Sequence, residues 1–177
     1  MELKKRIQLL FSLTLIIFFS LSMSCSTTNA PTVPTNTTGL TVSVVTSTTG
    51  GGYAPKNVVA IWVENSAGTF VKTLTVYAQA RKADLTHWEG SSAGSTVDAV
   101  TGATQSSFGT VYGSWNGTDK NNITAPDGEY RVCMEITDKN STGNFSYFTF
   151  TKGPVAQTLK PANTPSFSTI SLKWVPL

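Results

Sequence analysis

Hydrophobic and polar residues alternate at period two from Leu40 to Thr46 (LTVSVVT), the pattern of a strand with one face in a core and the other toward water. Asn57–Glu64 (NVVAIWVE) is instead apolar on both faces, which predicts a central strand. Asn65-Ser-Ala-Gly68 follows, with a glycine suited to the left-handed position of a hairpin loop, and Phe70–Tyr77 returns as the partner strand. Residues 78–92 break the alternation. Within them Lys82–Trp88 predicts one or two helical turns, with Leu85 and Trp88 on a shared face. Strands resume at Thr110–Trp115 and at Glu129–Thr137. In the latter Tyr130, Val132, Met134 and Ile136 take one face and Arg131, Cys133 and Glu135 the other. Asn144–Thr151 and Phe167–Trp174 complete the set, and the connection between them, with three prolines, is expected to cross from one layer to the other. About seven strands at this spacing predict an all-β, immunoglobulin-like antiparallel sandwich.

The amino-terminal segment changes the picture of location. Lys4, Lys5 and Arg6 precede an uncharged run over residues 7–23, which closes on Ser22-Met23-Ser24-Cys25. This is the layout of a secretory signal, and the run is short for a membrane-spanning helix. The Cys after a small residue resembles a bacterial lipobox, which implies a diacylglyceryl group on Cys25 and a membrane anchor. Soluble secretion and an uncleaved anchor are the alternatives. Residues 26–39 (STTNAPTVPTNTTG) carry no charge and almost no large apolar group, so they read as a tether. The expected organisation is a signal over 1–24, a lipidated Cys and tether over 25–39, and one sandwich domain over 40–177. Removing Met1–Ser24 takes away three of 13 basic and one of 10 acidic residues, which leaves a formal charge of +1. No basic stripe recommends nucleic-acid binding. With Cys25 lipidated, Cys133 has no disulfide partner within the chain.

Two stretches carry a family resemblance: Val59–Leu74, with Trp62, Gly68 and Phe70, and Trp115–Tyr130, with Gly117, Asp119, Asn122 and Gly128. Together they resemble the small Ig-like domain of flagellar hook-capping proteins. With Asp98–Thr104 between them, the nearer resemblance is to the bacterial domain-of-unknown-function family 2271, over roughly residues 40–175. Asn116 stands where that pattern often has Asp, and Asn122 where Gly is usual; Asn tolerates the left-handed region, so the turn is expected to survive. Asp119, Asn121, Asp127 and Glu129 lack the glycine and terminal glutamate spacing of a calcium loop, and a turn is the expected reading.

Asp98-Ala-Val-Thr101-Gly102-Ala103-Thr104 is similar to the acceptor motif of covalently flavinylated extracytoplasmic proteins. The resemblance implies that a flavin transferase moves FMN onto the Thr104 hydroxyl, with Asp98 as the acidic position and Thr101, Gly102 and Ala103 as a small-residue approach. It also implies membrane redox proteins as partners, with the flavin supplying the redox chemistry. A threonine hydroxyl needs a base to become a nucleophile, so a transferase must approach it closely. Trp88 and Tyr112 are candidate neighbours of the flavin ring. The other reading is a structural loop, and with it a non-catalytic structural or interaction module of the cell envelope. His87, the lone histidine, reads as a surface or packed residue, and no catalytic triad, paired carboxylates or metal set can be assembled. An enzyme activity of its own is not expected.

Overall fold

The computed structural model describes residues 33–35, 37–93 and 104–177. Among them eight strands form two four-stranded antiparallel sheets. The strands are β1 (Gly39–Thr46), β2 (Val58–Asn65), β3 (Phe70–Tyr77), β4 (Thr110–Trp115), β5 (Gly128–Thr137), β6 (Asn144–Lys152), β7 (Gln157–Leu159) and β8 (Phe167–Val175). One sheet has the order β4-β1-β8-β7 and the other β3-β2-β5-β6. The expected β-sandwich is the observed architecture. Seven strands fall where the alternation places them, and β7 lies inside the proline-bearing connection that does cross between the sheets. Three residues are too few for a period of two to declare itself.

The inner faces interdigitate in one core. Leu40, Val42 and Val44 of β1 meet Val59, Ile61 and Val63 of β2 and Val132, Met134 and Ile136 of β5, all fully buried. At one end the core is aromatic: Trp115 stacks obliquely on Tyr130 at 5.0 Å and lies 6.0 Å from Phe150 and 6.1 Å from Trp174. The polar tips of these rings are satisfied locally. Tyr130 Oη donates to Pro126 O at 2.6 Å, the corner device of many β-sandwiches, and Trp115 Nε1 donates to Thr118 O at 2.6 Å. The adjoining turn keeps its shape as expected. Asn122 has φ of 62°, and the Asp119 carboxylate accepts from the amides of Asn121 and Ile123.

The two-sided apolarity of β2 has a direct cause. Its outer face (Val58, Ala60, Trp62) packs with Val76 and Cys133 under a cover that includes Leu85 and Trp88. That cover is a short 3-10 turn, Lys82–Asp84, followed by helix α1 (Thr86–Ser92). Leu85 and Trp88 do share the buried side, although Leu85 immediately precedes the helix. Glu135, on the outer face of β5, accepts from the backbone amides of His87 at 3.2 Å and Trp88 at 2.9 Å and so holds the start of α1 on the sheet. No helix among the described residues is long and apolar enough to cross a membrane. The expected signal segment, Cys25, and residues 26–32 and 36 of the expected tether lie outside those residues.

Candidate functional site

Thr104 stands at the end of the sandwich opposite the aromatic cluster, beside the start of β2. Its backbone position is fixed by the next residue: Gln105 and Asn57 exchange both backbone hydrogen bonds, at 2.9 and 3.0 Å. Asn57, itself buried, donates through Nδ2 to Pro55 O and Ser107 O and ties both flanking segments together. Thr104 is half-buried and lines a cleft of about 510 Å³ together with Tyr53, Lys56, Arg81, Gln105, Ser106 and Asn140. That volume lies in the range that holds a small organic ligand.

Besides Thr104–Ser106, three described chain segments wall this cleft. The first is the loop from β1 to β2, pinned by one buried carboxylate. Asp138 accepts from the hydroxyls of Thr48 and Thr49 and from the amides of Thr49 at 3.2 Å and Gly51 at 2.9 Å. A side chain at Gly51 would run into Asp138, so the close approach requires glycine. Asp138 O then accepts from Tyr53 N at 2.9 Å, and Tyr53 O from Lys56 N at 2.9 Å, which carries the order outward to the cleft wall. The second segment supplies Arg81. Its Nε pairs with Asp84 at 2.9 Å, its other guanidinium nitrogen donates to Lys139 O at 2.7 Å, and its plane lies 4.9 Å from the Tyr53 ring centre. The third is the β5–β6 turn, where Asn140 Nδ2 donates to Tyr53 Oη at 2.8 Å.

The chemistry follows from what remains free. Arg81 is held rigidly and its charge is partly answered by Asp84; Lys56 forms no ion pair among the described residues. Among the described residues that line the cleft the charged ones are Lys56 and Arg81, both cationic. Gln105 Nε2 is buried without a hydrogen-bond partner. An unsatisfied buried donor costs about 1–3 kcal/mol, and it stands beside Thr104 in the same cleft. An anion with further acceptor groups suits this set.

The structure brings Thr104 together with residues that the sequence did not single out: Tyr53, Lys56, Arg81, Gln105 and Asn140. Asp98, Thr101, Gly102 and Ala103 lie outside the described residues, as does Cys25. The two expected ring neighbours are not in the cleft. Trp88 is fully buried beneath α1, with Nε1 donating to Thr73 Oγ1 at 2.9 Å, and therefore serves packing. Tyr112 belongs to β4 in the other sheet. Tyr53 is the aromatic residue that lines the cleft. His87 is exposed and stacks on Phe145 at 4.3 Å. Cys133 is buried, and desolvation pushes its thiol pKa up, with Glu64 adding to the effect.

No curated protein and no solved structure matches the chain. A family model described as "Predicted periplasmic protein (DUF2271)" matches residues 39–163, from the first residue of β1 to just past β7. That span holds both sheets except β8, together with every described residue lining the Thr104 cleft. A match over most of the chain places the protein in the DUF2271 family of predicted periplasmic proteins.

Proposed function

We propose that this extracytoplasmic domain carries FMN as a phosphoester on Thr104 and acts as an electron-relay module. It is held at the membrane through lipid on Cys25 and exchanges electrons with neighbouring membrane redox proteins. The observation that carries the reading is the place of Thr104: a half-buried threonine opening into a cleft with two cations. A phosphodiester bears one negative charge, which Lys56 and Arg81 match. Arg81 is pre-oriented by Asp84 and Lys139 O, so little entropy is lost when it meets an anion. Gln105 Nε2 supplies a donor in want of an acceptor. Tyr53 offers a ring face, fixed through Asn140. The bound flavin would supply reversible electron transfer, while the chain supplies position and charge.

The cleft also bears on how the bond is made. In attachment Thr104 Oγ1 takes the riboflavin-phosphoryl group of FAD, the pyrophosphate bond breaks, AMP leaves, and the hydroxyl proton goes to a base. No carboxylate or imidazole is found among the described residues that line the cleft, and the proposal assigns that base to the transferase. Co-expression with a flavin transferase tests this. Wild type is expected to gain the mass of one FMN minus water and in-gel flavin fluorescence; Thr104→Ala gains neither. Lys56→Glu is expected to lower the attached fraction severalfold while the fold is kept. An unmodified wild-type protein, or label that persists in Thr104→Ala, overturns the proposal.

A further inference from the structure

A second cleft, of about 650 Å³, opens at the other end of β2. Its floor is rigid. The Glu64 carboxylate is buried and accepts from Trp62 Nε1 at 2.9 Å, Ser91 Oγ at 2.5 Å and the Arg131 guanidinium at 2.8 Å. These donors come from β2, α1 and β5, so one buried anion locks three elements around the cleft. A Cβ at Gly68 would collide with the Arg131 guanidinium, and φ there is +84°, so glycine lets the arginine lie against the hairpin.

One wall is aromatic. His87 stacks face to face on Phe145 (4.3 Å, interplanar angle 11°), and Phe145 stacks on Trp62 at 5.7 Å. Gly90, Ser91 and Ser92 of α1, the helix that also carries His87, line the cleft as well, and two of them stand out. Gly90 sits inside a helix, where glycine costs about 1 kcal/mol relative to alanine. A Cβ there would meet no described atom within 4 Å, so crowding by the described residues does not require glycine. Open space does. Ser92 is 3% exposed, yet its Oγ has no hydrogen-bond partner, and it lines the same cleft. At the rim Arg131 is neutralised by Glu64, whereas Lys120 forms no ion pair among the described residues.

We infer that this cleft is a binding site for a flat aromatic molecule bearing a single negative charge. The ring lies against the His87–Phe145 wall in the space kept by Gly90, an acceptor of the ligand satisfies Ser92 Oγ, and the acid group meets Lys120. Aromatic stacking, an unsatisfied buried hydroxyl and one free cation together select that class over aliphatic or dianionic ligands. The site is separate from the Thr104 cleft: the two share no lining residue.

Naphthalene-2-carboxylate and its neutral counterpart naphthalene-2-methanol are the probes, titrated into the purified full-length protein by calorimetry and by amide NMR. The carboxylate is expected to bind saturably at one site, with shifts centred on His87 and Gly90–Ser92. Gly90→Phe fills the space and abolishes binding while the melting temperature stays within about 2 °C. Lys120→Ala, on an exposed turn, weakens the carboxylate about tenfold and leaves the alcohol unchanged. Thr104→Ala binds like wild type whether or not the protein accepts flavin, so this test and that of Thr104 fail independently. No saturation at millimolar probe, shifts centred on Tyr53 and Arg81, or full-strength binding by Gly90→Phe overturns the inference. Should Gly90→Phe not fold, equal loss of both probes or of neither in Lys120→Ala overturns it alone.

Discussion

Asp138, with no exposed surface, accepts hydrogen bonds from two hydroxyls and two amides of the loop that carries Tyr53 and Lys56. Burial on its own raises the pKa of such a carboxyl. Here the Thr48 and Thr49 hydroxyls and the Gly51 and Thr49 amides outweigh it, and the net shift is downward. A depressed carboxylate contributes stability above its unfolded pKa, about 3.9, and that contribution is lost as the pH falls through the lower folded value. Asp138→Ala is therefore expected to cost about 2–4 kcal/mol at neutral pH. The cost should shrink below about pH 4, as read from urea unfolding curves across the acid range. A cost that does not change with pH contradicts the assignment. In the sequence Asp138 is only the residue after a strand. Its donors lie 87–90 positions away, a distance at which no local pattern operates.

Helix α1 has seven residues, too few to persist without tertiary support, and Leu85 before it offers no side-chain cap. The cap comes instead from Glu135 on the sheet. Burial raises the pKa of this carboxyl, and the Trp88 and His87 amides oppose it only in part, so the sign is opposite to that of Asp138. Its stabilisation is fully present below the unfolded glutamate pKa and is lost as the pH rises through the raised folded value. Glu135→Ala is expected to cost about 1–2 kcal/mol at low pH and less as the pH rises. Amide exchange should speed up at His87 and Trp88 while β2 and β5 stay protected. Exchange that accelerates uniformly along the chain contradicts a local cap. Strand alternation places Glu135 correctly on the face opposite Met134 and Ile136. Alternation does not disclose that this face is covered, because the cover comes from 78–92, where the period is broken. The outward apolar residues of β2 were the visible sign of it.

For the molecule as a whole, the sandwich was readable because seven strands each carry enough positions for inside and outside to separate. The cleft was not, since Thr104 gathers Tyr53, Lys56, Arg81 and Asn140 from loops whose only shared feature is the end of the sandwich to which they return. Thr104 itself stood out because small residues precede it. Cys133 reports on global integrity. It is fully buried between Trp62 and the α1 cover, with a thiol held protonated by desolvation. A thiol-specific reagent is expected to leave it unmodified in native buffer and to react promptly once urea unfolds the domain; prompt labelling of the native protein contradicts that packing.

Gly39 pairs with Val175 at the aromatic end of the sandwich, whereas Thr46, at the other end of β1, bonds to Gly109 on the Thr104 side. Eight strand residues at about 3.3 Å each set these two poles on the order of 25 Å apart. Any tether that grips the amino side of the domain thus presents Thr104 at the distal tip, facing whatever stands across the gap. Under the proposed function, a redox partner would meet this protein head-on, from the opposite bank, and length of reach would be a property of the fold itself.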